Sequence, residues 1–175
     1  MPRFAARRLL AGLLLAPLAL TACGSGTSSP PTTAPPGMLS KAATISQIDA
    51  VCKDTDAKLS ALPQASGRDD YASLLTDFTS TVTLFNSYFA QVQPLVEQSV
   101  DRDRLTTKWL AVEKSDFAAS QPIIEQMIQA LQAKDDSAIS AAQSKLNKAP
   151  DHTDEIISFF RSYGLKDCAT MQGAT

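Results

Sequence analysis

Residues 71–96 read YASLLTDFTSTVTLFNSYFAQVQPLV, and the spacing of their large apolar side chains decides the fold class. From Tyr71 onward an apolar residue recurs at alternating steps of four and three, whereas a half-buried strand would place one at every second position. Such a seam is typical of a long helix that packs against neighbouring helices. The pattern therefore predicts a helix over 68–100 that is ended or kinked by Pro94. The seam residues are Tyr71, Leu75, Phe78, Val82, Phe85, Phe89, Val92 and Val96.

Three further segments show helical spacing, at 44–62, 103–133 and 136–163. The seam of segment 103–133 has one slip. In segment 136–163, Pro150 predicts a bend rather than a break in the helix. Gly164 follows that last seam and predicts a left-handed helix end. Because the connections are short, neighbouring helices should be antiparallel. The sequence thus predicts an all-α protein, an antiparallel up-down-up-down four-helix bundle over 44–168 with a C-terminal tail at 169–175.

The N-terminal segment predicts export. Three arginines precede an apolar run over 9–20, which is shorter than the roughly 20 residues that a membrane-spanning helix needs. A signal peptide over 1–22 fits this length, and a transmembrane anchor is the alternative. Residues 20–23, Leu-Thr-Ala-Cys, resemble the bacterial lipobox. The resemblance implies cleavage before Cys23, a diacylglycerol on its thiol, palmitate-type acyl chains, and a location at the extracytoplasmic face of the cell membrane.

A flexible linker is predicted over 23–43. Residues 24–37, GSGTSSPPTTAPPG, carry no charge and no large apolar side chain, so they cannot offset the entropy of ordering a backbone. At about 3.1 Å per residue, as in extended proline-rich chains, this stretch spans about 40 Å. It would act as a tether between the lipid and the helical domain.

Net charge limits the classes of partner. The chain has a formal net charge of −2. Loss of the signal peptide removes three of its 16 basic and none of its 18 acidic side chains, which leaves a net charge of −5. This balance argues against a nucleic-acid partner. The expected partners are the membrane, through the N-terminal anchor, and an envelope protein.

Two cysteines remain once Cys23 is acylated. An even number outside the membrane indicates one disulfide between Cys52 and Cys168, with buried free thiols as the alternative. In the predicted bundle the end of the fourth helix returns beside the start of the first. If residues 165–168 fold back along the first helix, the two sulfurs can meet.

The chain as a whole resembles small exported lipoproteins of high-GC Gram-positive bacteria. The resemblance rests on the lipobox, the Ser/Thr/Pro linker, a cysteine early in the first helix (Cys52), and a Tyr-Gly-Leu-x-x-Cys ending over 163–168. It implies the disulfide and the surface location. It implies no activity, because these features include no catalytic motif.

Motifs for catalysis or cofactor binding are not found. The sequence has no P-loop, no Gly-rich dinucleotide turn, no nucleophile elbow and no Cys-x-x-Cys, and it has a single histidine. The spacing of His152 and Glu155 resembles the His-x-x-Glu motif of imelysin-type lipoproteins, which makes these two the candidate metal ligands, and a solvated helix face is the alternative. We expect no cofactor and no enzymatic activity.

Three polar residues fall on the predicted seams, each near the middle of its helix. Thr55, Asp116 and Thr153 are expected to form a polar layer across the core, which either fixes helix register or lines a small internal pocket. Together these patterns predict a non-enzymatic binding or interaction module at the cell envelope. The alternative is a carrier that holds a small molecule or lipid in a cavity between helices.

Overall fold

A computed structural model of the chain describes residues 34–67 and 69–173. Within these ranges the chain forms six helices and no strand, which confirms the prediction of an all-α protein. None of these described helices is both long and apolar enough to cross a membrane. The predicted signal peptide, Cys23 and the linker up to residue 33 lie outside the described residues.

Three of the described helices begin at local capping signals. Ser40, Asp70 and Asp135 each accept a hydrogen bond from the backbone N–H three residues later, which satisfies a donor at the start of a helix. The first helix therefore begins three residues before the predicted Thr44, and the hydroxyl of Thr44 instead donates to Ser99 Oγ at 3.0 Å. The helices are α1 (Lys41–Ser60), α2 (Tyr71–Glu97), α3 (Arg102–Leu105, a π-helical turn Thr106–Leu110, then Ala111–Ala133), α4 (Asp136–Leu146), α5 (Thr153–Tyr163) and α6 (Lys166–Met171).

Each of the first three helices packs against the next one in the chain. α2 packs against α1 and α3, and the second half of α3 packs against α4. α5 contacts the π-helical turn of α3, and α6 packs against both α5 and α1. The buried apolar side chains form two clusters. The larger joins α1, α2, the first half of α3, α5 and α6, and the smaller joins α2, the second half of α3 and α4.

The predicted single bent helix over 136–163 is wrong. The structure has two helices, α4 and α5, separated by residues 147–152. Pro150 has no backbone N–H to donate and disfavours helical geometry at the residue before it. The backbone N–H of His152 donates instead to the Asp116 carboxylate at 2.9 Å. The break lets α4 pack on the smaller cluster and α5 on the larger one.

The predicted disulfide is confirmed. Cys52 and Cys168 are bonded, with their Cα atoms 4.9 Å apart, and both are fully buried. Gly164 ends α5 with a φ of +106°, as predicted, and a Cβ atom there would lie 3.3 Å from Ile45 Cδ1. This left-handed residue turns the chain back so that α6 lies along α1. Residues predicted as a tail are packed here, since Ala169, Met171 and Gln172 are buried.

Asp49 of α1 holds the start of α6. Its carboxylate accepts the backbone N–H groups of residues 166–168 at 3.1 to 3.3 Å, so a residue distant in sequence acts as a helix cap. We expect Asp49→Ala to lower the free energy of unfolding by about 1–2 kcal/mol, the usual cost of losing a cap. Urea denaturation followed by the fluorescence of Trp109, the single tryptophan, measures this.

A matched control is Asp54→Ala on the same helix. Asp54 forms an exposed ion pair with Lys58 at 2.6 Å, and such pairs contribute roughly 0.3–0.5 kcal/mol. Equal losses for the Asp49 and Asp54 variants would contradict a capping role for Asp49.

Candidate functional site

A buried carboxyl group lies in the middle of the larger apolar cluster. Glu113 of α3 is 4% exposed, and three side chains donate hydrogen bonds to it. Trp109 Nε1 donates to Oε2 at 2.7 Å and Tyr88 Oη donates to the same oxygen at 3.2 Å. Gln172 Nε2 donates to Oε1. We call these four residues the Glu113 cluster. They join α2, α3 and the C-terminal end of the described chain.

The π-helical turn explains why Glu113 faces inward. Leu105, Trp109, Glu113 and Phe117 are all buried, which is three successive steps of four. A seam in a regular α-helix alternates steps of four and three, whereas a π-helical turn takes up an extra residue. The turn over 106–110 therefore shifts the buried face by one residue relative to the predicted seam. Asp116, predicted as a seam residue, lies at its edge and is only partly buried, as is Val112.

Burial alters the acidity of this cluster. It raises the pKa of the Glu113 carboxyl to about 7, and the three hydrogen-bond donors oppose that change only in part. Burial and the neighbouring Glu113 charge also raise the pKa of Tyr88 well above its ordinary value of 10. Near neutral pH, Glu113 therefore exchanges a proton while Tyr88 remains a neutral donor.

A cavity of about 20 Å³ adjoins the cluster, and Asp116 and Thr153 both line it. This volume holds about one water molecule. Besides these two residues, the cavity is lined by Phe85, Glu113, Asp151, Ile156 and Gln172. The structure thus brings Asp116 and Thr153 of the predicted polar layer together. Thr55 is buried on α1 but is not among the lining residues.

His152 lies outside the cavity and is bound to Asp116. Its Nδ1 atom is 2.9 Å from Asp116 Oδ1, and this hydrogen bond raises the pKa of the imidazole above its ordinary value of 6.5. His152 immediately precedes α5, whereas Glu155 lies exposed in its first turn. In the described part of the chain, no group of three or more His, Cys, Asp or Glu side chains is arranged to bind a metal ion.

Sequence reasoning missed the Glu113 cluster. In sequence, Glu113 is one acidic residue on a mostly polar stretch of α3, and Gln172 lies in the predicted tail. The slip in the predicted seam of segment 103–133 lies between residues 123 and 131, well after the π-helical turn at 106–110. The sequence pattern therefore gave no signal of the rotation that buries Glu113.

The described chain has what we call a closed interior: its buried polar side-chain atoms are all paired, and the cavity beside Glu113 is small. Every buried side-chain nitrogen and oxygen atom among the described residues has a hydrogen-bond partner. Both Glu113 carboxyl oxygens accept hydrogen bonds from the other members of the Glu113 cluster, and the adjoining cavity measures only about 20 Å³. Comparisons of the chain with protein-family models, with curated proteins and with solved structures find no match in any of the three.

Proposed function

We propose that the protein is a lipid-anchored, non-enzymatic binding module, held by acyl chains on Cys23 at the extracytoplasmic face of the cell membrane. The helical body would present its outer faces to an envelope protein. We also propose that α1, α2 and α3 run up-down-up, and that α4 and α5 in series form the fourth, downward stretch. The packing of successive helices and their short connections support this course.

The closed interior is the observation that carries the proposal. A binding module acts through its surface and needs a rigid body, and a disulfide together with fully bonded buried polar groups provides one. An enzyme needs a polar group that a substrate can reach. Glu113 has the acidity of a proton-transfer group but lies against a cavity of only about 20 Å³.

A carrier of a small molecule or lipid is the second candidate. Ligand pockets usually measure about 300–1,000 Å³ and cover most of the ligand. A groove of about 400 Å³ lies between the end of α1 and the middle of α2, and it opens to solvent. Leu62 and Leu84 give it apolar walls, beside the hydroxyls of Thr79, Ser80 and Thr83. A ligand there would remain largely exposed, so this groove supports a carrier less well than the closed interior supports a binding module.

Acylation of Cys23 is tested by intact mass spectrometry and by membrane fractionation. We expect the native protein to begin at Cys23, to carry an acyl mass, and to sediment with membranes. Cys23→Ala should remove the acyl mass and the membrane attachment while the Cys52–Cys168 disulfide remains, because the two depend on separate thiols. A native protein without an acyl mass would contradict the proposed function.

The choice between the two candidates rests on what accompanies the anchored protein. Crosslinking in the intact envelope should join a binding module to a protein partner through its outer helix faces. Native mass spectrometry of the same preparation should show no tightly held lipid apart from the covalent acyl chains. A stoichiometric non-covalent lipid, with no crosslinked protein, would favour the carrier.

A further inference from the structure

The end of the helical body at which the described chain begins carries two exposed apolar side chains. Among the described residues only two large hydrophobic side chains are exposed, Met38 at 37% and Val100 at 39%. The two segments that carry them are paired, because Leu39 N–H donates to Gln98 O at 2.7 Å and Val100 N–H donates to Leu39 O at 3.0 Å. We call Met38 and Val100 the end patch.

The chain enters the helical body at this patch. Residues 35–38 form a turn in which Met38 N–H donates to Pro35 O at 3.0 Å and Gly37 has a φ of +84°. Proline at the second position and glycine at the third are the residues that a type II turn favours. The turn and the bridge to residues 98–100 fix Met38 directly after the predicted tether. The end patch is therefore on the side of the body from which the anchor leads.

The charges around the end patch nearly balance. The exposed Lys41 and Arg104 lie over the Tyr163 ring, with Lys41 Nζ and Arg104 Cζ 4.8 and 5.6 Å from its centroid. Asp101 accepts a hydrogen bond from Tyr163 Oη at 2.9 Å. Glu97, Arg102 and Asp103 are close to Val100 in sequence, and Arg102 and Asp103 are paired at 3.2 Å. Apolar contacts, and not net charge, would therefore dominate binding at this end.

We propose that the end patch inserts into the boundary between headgroups and acyl chains of the membrane that carries the anchor, so that the helical body stands on the bilayer. This inference rests on the proposed function, because acyl chains on Cys23 would hold the patch near the bilayer at high effective concentration. Under that condition a small apolar contact, too weak to recruit a free protein, adds to the attachment that the acyl chains provide. Since net charge contributes little, salt should not release the patch.

The test uses the full-length protein, acylated in its own cells and reconstituted into vesicles. An environment-sensitive fluorophore is attached to Gln98→Cys beside the end patch, or to Gln64→Cys in the loop that follows α1. The 20 residues of α1 put these positions about 30 Å apart. We expect a phospholipid-borne quencher to quench the label at 98 and leave the label at 64 unaffected, at both low and high salt.

Substitutions separate the patch from the tether. In the protein labelled at 98, Val100→Asp should abolish quenching, whereas Gln64→Asp, a control far from the patch, should not. Circular dichroism verifies that both variants fold.

The outcomes distinguish failure of the membrane contact from failure of the proposed function. Acylated protein whose label at 98 is not quenched would overturn the inference alone. A rise in emission without quenching by lipid would also overturn it, because a protein would then cover the patch. A missing acyl mass would overturn both the inference and the proposed function.

Discussion

Replacing Cys52 and Cys168 together with alanine is expected to lower the free energy of unfolding by about 5 kcal/mol. The bond joins residues 116 positions apart, and a link across so long a loop removes much of the entropy of the unfolded chain. Small domains are commonly stable by only about 5–15 kcal/mol, so the variant should be close to unfolding at room temperature. Urea denaturation followed by Trp109 fluorescence measures the loss.

Reduction of the unmodified protein provides the matched comparison. A reducing agent breaks the same bond without removing the two sulfur atoms, so it should produce most of the loss seen in the double variant. Agreement would assign the effect to the covalent link, and a larger loss in the double variant would give the packing contribution of the thiols. A loss of less than about 1 kcal/mol in both cases would contradict a stabilising role for the bond.

Stability is expected to fall as the pH rises from about 5 to about 8, and Glu113 should cause most of the change. Its pKa in the folded protein, about 7, is above the ordinary value of 4.5, so the folded state binds this proton more tightly than the unfolded state. The resulting stabilisation is present in full below the ordinary value and is lost as the pH rises through about 7. The shift corresponds to about 3 kcal/mol in the free energy of unfolding.

Glu113→Gln tests this expectation. The amide is neutral at every pH used and has nearly the same shape, and Gln172 can rotate its own amide to supply the acceptor that the new N–H₂ group needs. Most of the dependence on pH should therefore disappear. A smaller fall in the same direction should remain, because the raised pKa of His152 gives stability that is present below its ordinary value of 6.5 and is lost above it.

The control for this substitution is Glu125→Gln, an exposed position on the same helix. It should leave the dependence on pH unchanged. Urea is the suitable denaturant, because guanidinium chloride would screen the charges being measured. A dependence on pH that is the same in the unmodified protein and in Glu113→Gln would show that the Glu113 proton is not linked to folding.

Local pattern predicted much of this fold. The seam over 71–96 identified a long helix, and the structure places α2 at Tyr71–Glu97. Gly164 was predicted as a left-handed helix end and is one. Cys52 and Cys168 were expected to meet if the C-terminal segment folded back along α1, and they do. The first two features follow from the helical repeat and from the conformational freedom of glycine. The expected pairing also used the expectation that Cys23 is acylated, which leaves two of the three cysteines.

Other features depended on neighbours that sequence alone did not supply. Pro150 predicts a bend in one helix, but the structure has two helices there. The backbone N–H of His152, between them, donates to the Asp116 carboxylate on α3. Asp49 gave no sign of capping a helix whose first residue is more than a hundred positions away. Each outcome depended on which groups the packing placed within hydrogen-bonding distance.

Helical periodicity was enough to establish that this protein is all-helical and where its longest apolar seam lies, because such a seam must face inward wherever helices pack. The burial of Glu113 and the identity of its contacts came from packing between helices. That outcome required a π-helical turn to rotate α3, and α6 to return along α1 with Gln172 behind it. A buried carboxyl is tolerated only where donors from several elements converge on it, and no single segment of the chain records that convergence.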